Sequence, residues 1–174
     1  MILKLKRTPG IYLVGFMAAG KSTLGRMLAD ELGWSFVDID QDIEHMERAS
    51  VAQIFETRGE EAFREIESQV IGAWVHRVQR GMPTVIALGG GAFTRDPNYD
   101  MLEENGITVW LDCPLEAVEQ RVAECSARPL ARDLDRMRAL YHARLPAYAR
   151  ADFRVDASGD AERTIKLLLG LPIY

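Results

Sequence analysis

One octapeptide, Gly15-Phe16-Met17-Ala18-Ala19-Gly20-Lys21-Ser22, limits what this chain can fold into more than any other stretch. It matches GxxxxGK[ST] and joins an apolar run at residues 11–14 to a helical pattern at 21–32. Leu24, Met27, Leu28 and Leu32 mark the apolar face of that helix, and Gly33 gives the stop signal. A strand that turns through glycines into a helix gathers backbone N–H groups and the positive end of the helix dipole at one point. That arrangement is a cradle for phosphate. Lys21 can then reach the outer phosphates of a nucleoside triphosphate, and the Ser22 hydroxyl can ligate Mg²⁺. Gly15, Ala18, Ala19, Gly20 and Thr23 complete the expected nucleotide contact.

The rest of the composition sets bounds on this reading. A length of 174 residues with 48% hydrophobic content fits one globular domain that needs no disulfide or metal staple. A net charge of −5 argues against a duplex nucleic-acid binder. The cations are 17 Arg and 4 Lys, a bias that suits fixed recognition of phosphate or carboxylate inside an acidic whole. Cys113, Cys125 and the three histidines show no zinc spacing, so the thiols read as reduced and the protein as cytoplasmic. Lys4, Lys6 and Arg7 before the apolar run imitate a secretion signal, but the run continues into Lys21-Ser22-Thr23, which the phosphate cradle explains better. No stretch reaches the roughly 20 apolar residues of a membrane span. Neither nucleic acid nor membrane is expected as a partner, and a monomer is expected.

Four further strands are expected at 34–37, 84–88, 107–111 and 153–155. Helices are expected at about 41–48, 51–58, 60–80, 96–105, 114–124 and 133–150, with a last one capped by Ser158. Ser50 and Gln53 form a capping-box pattern. Continuous apolar strands alternating with helices imply a three-layer α/β/α domain on a five-stranded parallel sheet. In such sheets ligands bind beyond the carboxyl ends of the strands, where the special clusters fall.

Those clusters suggest a second substrate. Asp38 and Asp40 lie two apart at a strand end, where an extended chain would point both the same way, one supporting hydrated metal and the other an attacking hydroxyl. Arg64 can pair with Glu67 and Glu60 along a helix, which would fix its fork for a carboxylate. Gly89-Gly90-Gly91 implies a close approach to the backbone. Arg128-Pro129-Leu130 opens a charged stretch that suits a lid, Arg144 is a further anion contact, and Arg121 could stack on adenine. No NKxD motif points to a GTPase. Asp112, followed by Cys113 rather than Glu, reads as a cap for the helix begun by Pro114.

In the order GFMAAGKSTLGR, DID, FREIE, GGG, Arg121, RPL and RLPAYARAD, the chain resembles the shikimate kinases over nearly its whole length. The resemblance implies a P-loop kinase fold in one domain over 1–174, with a lid at about 125–137 and a substrate-binding region at about 39–67. It implies transfer of the γ-phosphoryl of ATP to the 3-hydroxyl of shikimate, with Mg²⁺. Lys21 and Arg128 would serve catalysis on the phosphates, and Arg121 would lie on adenine. Ser22 would hold the metal directly and Asp38 through water. Asp40 would bind shikimate and act as base, Arg64 and Arg144 would clamp its carboxylate, and Gly89, Gly90 and Gly91 would pack against it. The family pattern has Gly where this chain has Ala18, which costs strain if that residue takes φ > 0. The segment from Arg128 to Arg144 is also short for the family. A kinase of another hydroxy acid, such as gluconate, and a non-catalytic nucleotide-binding module are the alternatives.

Overall fold

The structure, a computed structural model, describes residues 10–125 and 133–173. Five strands form one parallel sheet: β1 (Gly10–Val14), β2 (Ser35–Asp38), β3 (Thr84–Ala87), β4 (Ile107–Asp112) and β5 (Phe153–Asp156), in the order β2-β3-β1-β4-β5. The helices are α1 (Lys21–Leu32), α2 (Ile39–Glu47), α3 (Val51–Arg58), α4 (Glu60–Gln79), α5 (Asp96–Glu104), α6 (Leu115–Glu124), α7 (Leu134–Tyr148) and α8 (Ala161–Leu169).

The apolar runs explain the sheet. Every residue of β1 and β3 is buried, as strands covered on both faces must be. From β1 to β2 the chain steps one way across the sheet, and from β2 to β3 it steps back. Right-handed crossovers therefore put α1 and α4 on opposite faces. Helix α8 packs beside α1, and α5 beside α4. The register sets Asp38 level with Ala87, and Val14 level with Trp110. The segments after β1, β2 and β3 thus leave the sheet along one edge.

Several local signals act as the sequence suggests. Gly33 takes φ 66 and closes α1, and Ser50 with Gln53 makes both hydrogen bonds of the capping box on α3. Two expected caps are corrected. The last helix is capped by Asp160, whose carboxylate accepts from the Arg163 N–H at 2.8 Å, while Ser158 turns back to Asp156. Asp112 caps nothing: Pro114 holds the N-cap position of α6, and the Asp112 carboxylate accepts from Arg154. Helix α4 turns Phe63, Ile66, Val70, Ile71, Val75 and Val78 inward and leaves Trp74 half-buried. Among the described residues no helix is long and apolar enough to cross a membrane.

Candidate active site

The loop between β1 and α1 forms the floor of a cleft of about 1400 Å³. Gly20, at φ 89, is the N-cap of α1 and offers no side chain to the first N–H groups of the helix, and the first turn holds no acid. Those donors face the cleft, which suits an anion. Ala18 takes φ 60, so the left-handed conformation is carried by a residue with a Cβ. Lys21 Nζ folds over the loop, donating to the Gly15 carbonyl at 2.8 Å and the Phe16 carbonyl at 2.9 Å. Ala19 is buried, its N–H donating to the Phe16 carbonyl, and Thr23 lies exposed in the first turn of α1, on the cleft wall. The Ser22 hydroxyl donates to the Asp38 carboxylate.

Asp38 and Asp40 reach the cleft by a different route from the one expected. Asp38 ends β2 and is the N-cap of α2, accepting from the Gln41 N–H at 3.2 Å. Asp40 is the second residue of that helix, in its first turn, rather than on an extended strand. Its Oδ1 is buried without a hydrogen-bond partner. Burial raises the Asp40 pKa, and the Asp38 and Glu44 carboxylates push it further, while Lys21 and Arg64 oppose the rise. A carboxylate so placed accepts a proton more readily than an ordinary one.

Arg64 on α4 donates to Glu67 at 2.8 Å, with Glu60 at 3.7 Å. Glu67 is 0% exposed, so this is a buried anchor rather than a surface pair. Burial raises the Glu67 pKa, and Arg64 resists the shift. Phe63 carries the Arg64 guanidinium over its ring at 5.3 Å.

The three glycines leave room for these side chains. A Cβ at Gly89 would lie 2.6 Å from Glu67 Oε2 and 2.8 Å from Asp40 Oδ1. One at Gly90 would lie 2.9 Å from an Arg144 nitrogen, and one at Gly91 2.6 Å from Arg64 Cζ. The sequence implied a close approach to this backbone, and the protein's own acids and guanidinium groups make one; Gly90 also lines the cleft. Arg64 and Arg144 come to adjacent glycines, a spacing that suits two forks on one carboxylate. The Tyr148 hydroxyl donates to the Gly90 carbonyl at 2.5 Å and fixes this wall to α7; burial pushes its pKa up to about 12.

Arg121, on α6, also lines the cleft. Its guanidinium is tied in plane to the Ala18, Ala157 and Gly159 carbonyls at 2.9, 3.1 and 3.2 Å. Arg128 lies outside the described residues, as do residues 126–132 of the expected lid; Leu134 onward is the start of α7. Several lining residues were not singled out in the sequence, among them Phe55 on α3, while Arg136 on α7 falls within the stretch expected as lid. Phe55 sits at a plain helical core spacing, and Arg136 is one Arg among several in a charged stretch, so neither carried a distinguishing signal.

Among the described residues no three His, Cys, Asp or Glu side chains converge to hold a metal by themselves. Ser22 with Asp38 nonetheless fits Mg²⁺, which takes one or two protein oxygens and completes its shell with phosphate and water.

The family model for shikimate kinase matches residues 17–168. A shikimate kinase of Ruegeria pomeroyi is 42% identical over 153 residues, covering 86% of this chain and 76% of the relative. The structure of shikimate kinase from Acinetobacter baumannii in complex with shikimate superposes with a TM-score of 0.82 at 36% identity, over 97% of both chains. A gluconokinase from Sinorhizobium meliloti 1021 aligns with a TM-score of 0.58 at 17% identity, over 91% of this chain and 89% of its own; the likeness is one of fold.

Proposed function

The chain belongs to the shikimate kinase family, and we propose that this cleft moves the γ-phosphoryl of ATP to the 3-hydroxyl of shikimate with the residues named above. It is an ATP-dependent phosphotransferase acting on a hydroxyl group. The observation that carries the assignment of roles is the position of Asp40. Its unpartnered Oδ1 lies between a phosphate cradle at Lys21 and Ser22 and a pair of guanidinium groups at Arg64 and Arg144.

The proposed chemistry follows from that layout. The loop N–H groups and Lys21 take the phosphates, so Lys21 leaves the Gly15 and Phe16 carbonyls for a phosphate oxygen. Ser22 and Asp38 would hold Mg²⁺, the serine directly and the aspartate through water. Bound there, the ion neutralises charge on the phosphate oxygens. Arg64 and Arg144 grip the shikimate carboxylate, and Glu67 keeps Arg64 aimed. The backbone at Gly89, Gly90 and Gly91 forms the wall beside the ring. Asp40 orients the attacking hydroxyl and takes its proton, a role its raised proton affinity favours. Arg128 would add positive charge at the transferring phosphoryl, and Arg121 would lie against adenine.

The proposal takes residues 1–174 as one catalytic domain, with 39–67 gripping the acid and 125–137 as the lid. It places a monomer in the cytoplasm, where Cys113 and Cys125 stay reduced. The direct test is ADP release by the purified protein with shikimate, with gluconate, and with each in the absence of Mg²⁺. Release that needs both shikimate and Mg²⁺ supports the reading. Equal release with gluconate, or none with either acid, refutes it.

A further inference from the structure

Arg121 is engaged in more than a nucleotide base would require. One guanidinium bridges three parts of the chain: the phosphate loop at Ala18, the end of β4 at Cys113 and the connection from β5 to α8 at Ala157 and Gly159. Nη1 donates to the Ala18 carbonyl at 2.9 Å and lies 3.4 Å from Cys113 Sγ, and Nη2 donates to Ala157 at 3.1 Å and Gly159 at 3.2 Å. Both terminal nitrogens are therefore committed to fixed acceptors in the plane of the group.

The residue it grips is the strained one. Ala18 holds φ 60, which an L side chain disfavours and glycine does not. Within the loop the backbone itself supplies one turn bond, from the Ala19 N–H to the Phe16 carbonyl at 3.3 Å. The other side-chain grip is Lys21 on Gly15 and Phe16, and the reading above sends Lys21 to the phosphates. When that happens, Arg121 is, among the described residues, the side chain still holding a loop carbonyl, at the residue with the greatest tendency to leave its conformation.

We propose that Arg121 is a positioning residue for the triphosphate: it holds Ala18 in the left-handed conformation that turns the loop N–H groups toward the phosphates. The need arises because residue 18 carries a Cβ, and the inference rests on residues 15–22 being the phosphate loop. This task is separate from any contact with adenine, which would use the flat face of the same guanidinium.

Inorganic tripolyphosphate, which has no base to stack, separates the two tasks. Its inhibition constant against ATP is measured with Mg²⁺ in wild type, Arg121→Ala, Ala18→Gly and the double variant, together with KM for ATP and kcat. Arg121→Ala is expected to weaken tripolyphosphate about tenfold, and by less than threefold in the Ala18→Gly background, because glycine keeps the loop conformation unaided. A merely structural role would give the same fold-loss in both backgrounds and overturns the proposal. So does an Arg121→Ala variant that loses ATP affinity but keeps tripolyphosphate affinity, since only the base contact would then matter. Should Arg121→Ala fail to fold, Arg121→Lys runs the same cycle, its single amine being unable to span the three acceptors. A wild-type protein that binds neither ATP nor tripolyphosphate overturns the phosphate-loop reading as well.

Discussion

Replacing Gly89 with alanine adds one methyl group at the point where two carboxylates meet. The new Cβ would stand 2.6 Å from Glu67 Oε2 and 2.8 Å from Asp40 Oδ1, where ordinary contact begins at 3.4 Å. Each oxygen must therefore retreat by about 0.6–0.8 Å if the backbone stays in place. Neither has an easy path, because Glu67 is 0% exposed and tied to Arg64, and Asp40 Oδ1 is buried. Gly89 does not use the left-handed region, so the loss comes from crowding rather than backbone strain. Overpacking of this kind costs about 1–3 kcal/mol. For a chain of this size that lowers Tm by roughly 3–10 °C. Moving the proposed base by most of an ångström should lower kcat between about 10-fold and 100-fold. The assay pairs thermal melting with shikimate-dependent ADP release. Gly72→Ala is the control: it lies within α4, its Cβ would lie 3.8 Å from Met101 Sδ, and it should gain about 0.5–1 kcal/mol without changing kcat. A Gly89→Ala enzyme with kcat within twofold of wild type and an unchanged Tm would refute the crowding argument.

Asp40→Asn keeps the shape but removes the proton acceptor, so kcat should fall by at least about 100-fold with little change in KM for shikimate; wild-type turnover would end its role as base. Arg64→Ala should raise KM for shikimate by about 10-fold or more and leave KM for ATP near wild type; equal effects on both would place it outside the carboxylate clamp. Glu67→Gln tests a pH effect. Burial raises the folded pKa of Glu67, so the folded protein loses stability relative to the unfolded chain as pH rises above about 4.3. Glutamine has no such loss, so denaturant melts should show the variant gaining stability relative to wild type as pH rises from acidic toward neutral; parallel pH curves would contradict it. Ala18→Gly should raise stability by about 0.5–1 kcal/mol, the relief of left-handed strain less the added freedom of the unfolded chain; a loss of stability in chemical denaturation would show that the loop is unstrained.

The features legible in the sequence are those set by neighbours along the chain. The bounds of α1, the stop at Gly33, the capping box at Ser50 and Gln53, and the pairing of Arg64 with Glu67 depend on spacings of three or four residues. Features set across the fold were not legible. Asp40 was placed on a strand end because two aspartates two apart suit an extended chain, but Asp38 caps a helix that begins at once. Asp160 outcompetes Ser158 as cap because Ser158 is occupied by Asp156. The conformation of Ala18 could be posed only as a condition, since left-handed geometry there is imposed by the elements around the loop. The burial of Glu67 turns a pairing common on helix surfaces into an internal anchor, and helical periodicity alone does not reveal that.

The strand order also governs when this protein can begin to exist. β1 sits at the centre of the sheet between β3 and β4, and among the described residues β2 pairs only with β3. On a ribosome, residues 10–80 therefore emerge as two strands that do not pair with each other and four helices that lack the finished sheet they cover. Strand pairing must wait for Thr84–Ala87, and the roof over Gly15 waits for the Leu111 carbonyl that a Cβ there would strike at 2.7 Å. The nucleotide cradle is encoded first and completed late, after Arg121 has left the ribosome. A nascent chain halted near residue 80 presents a phosphate-loop sequence with no phosphate loop, and its exposed helical stripes are the surface a chaperone would meet.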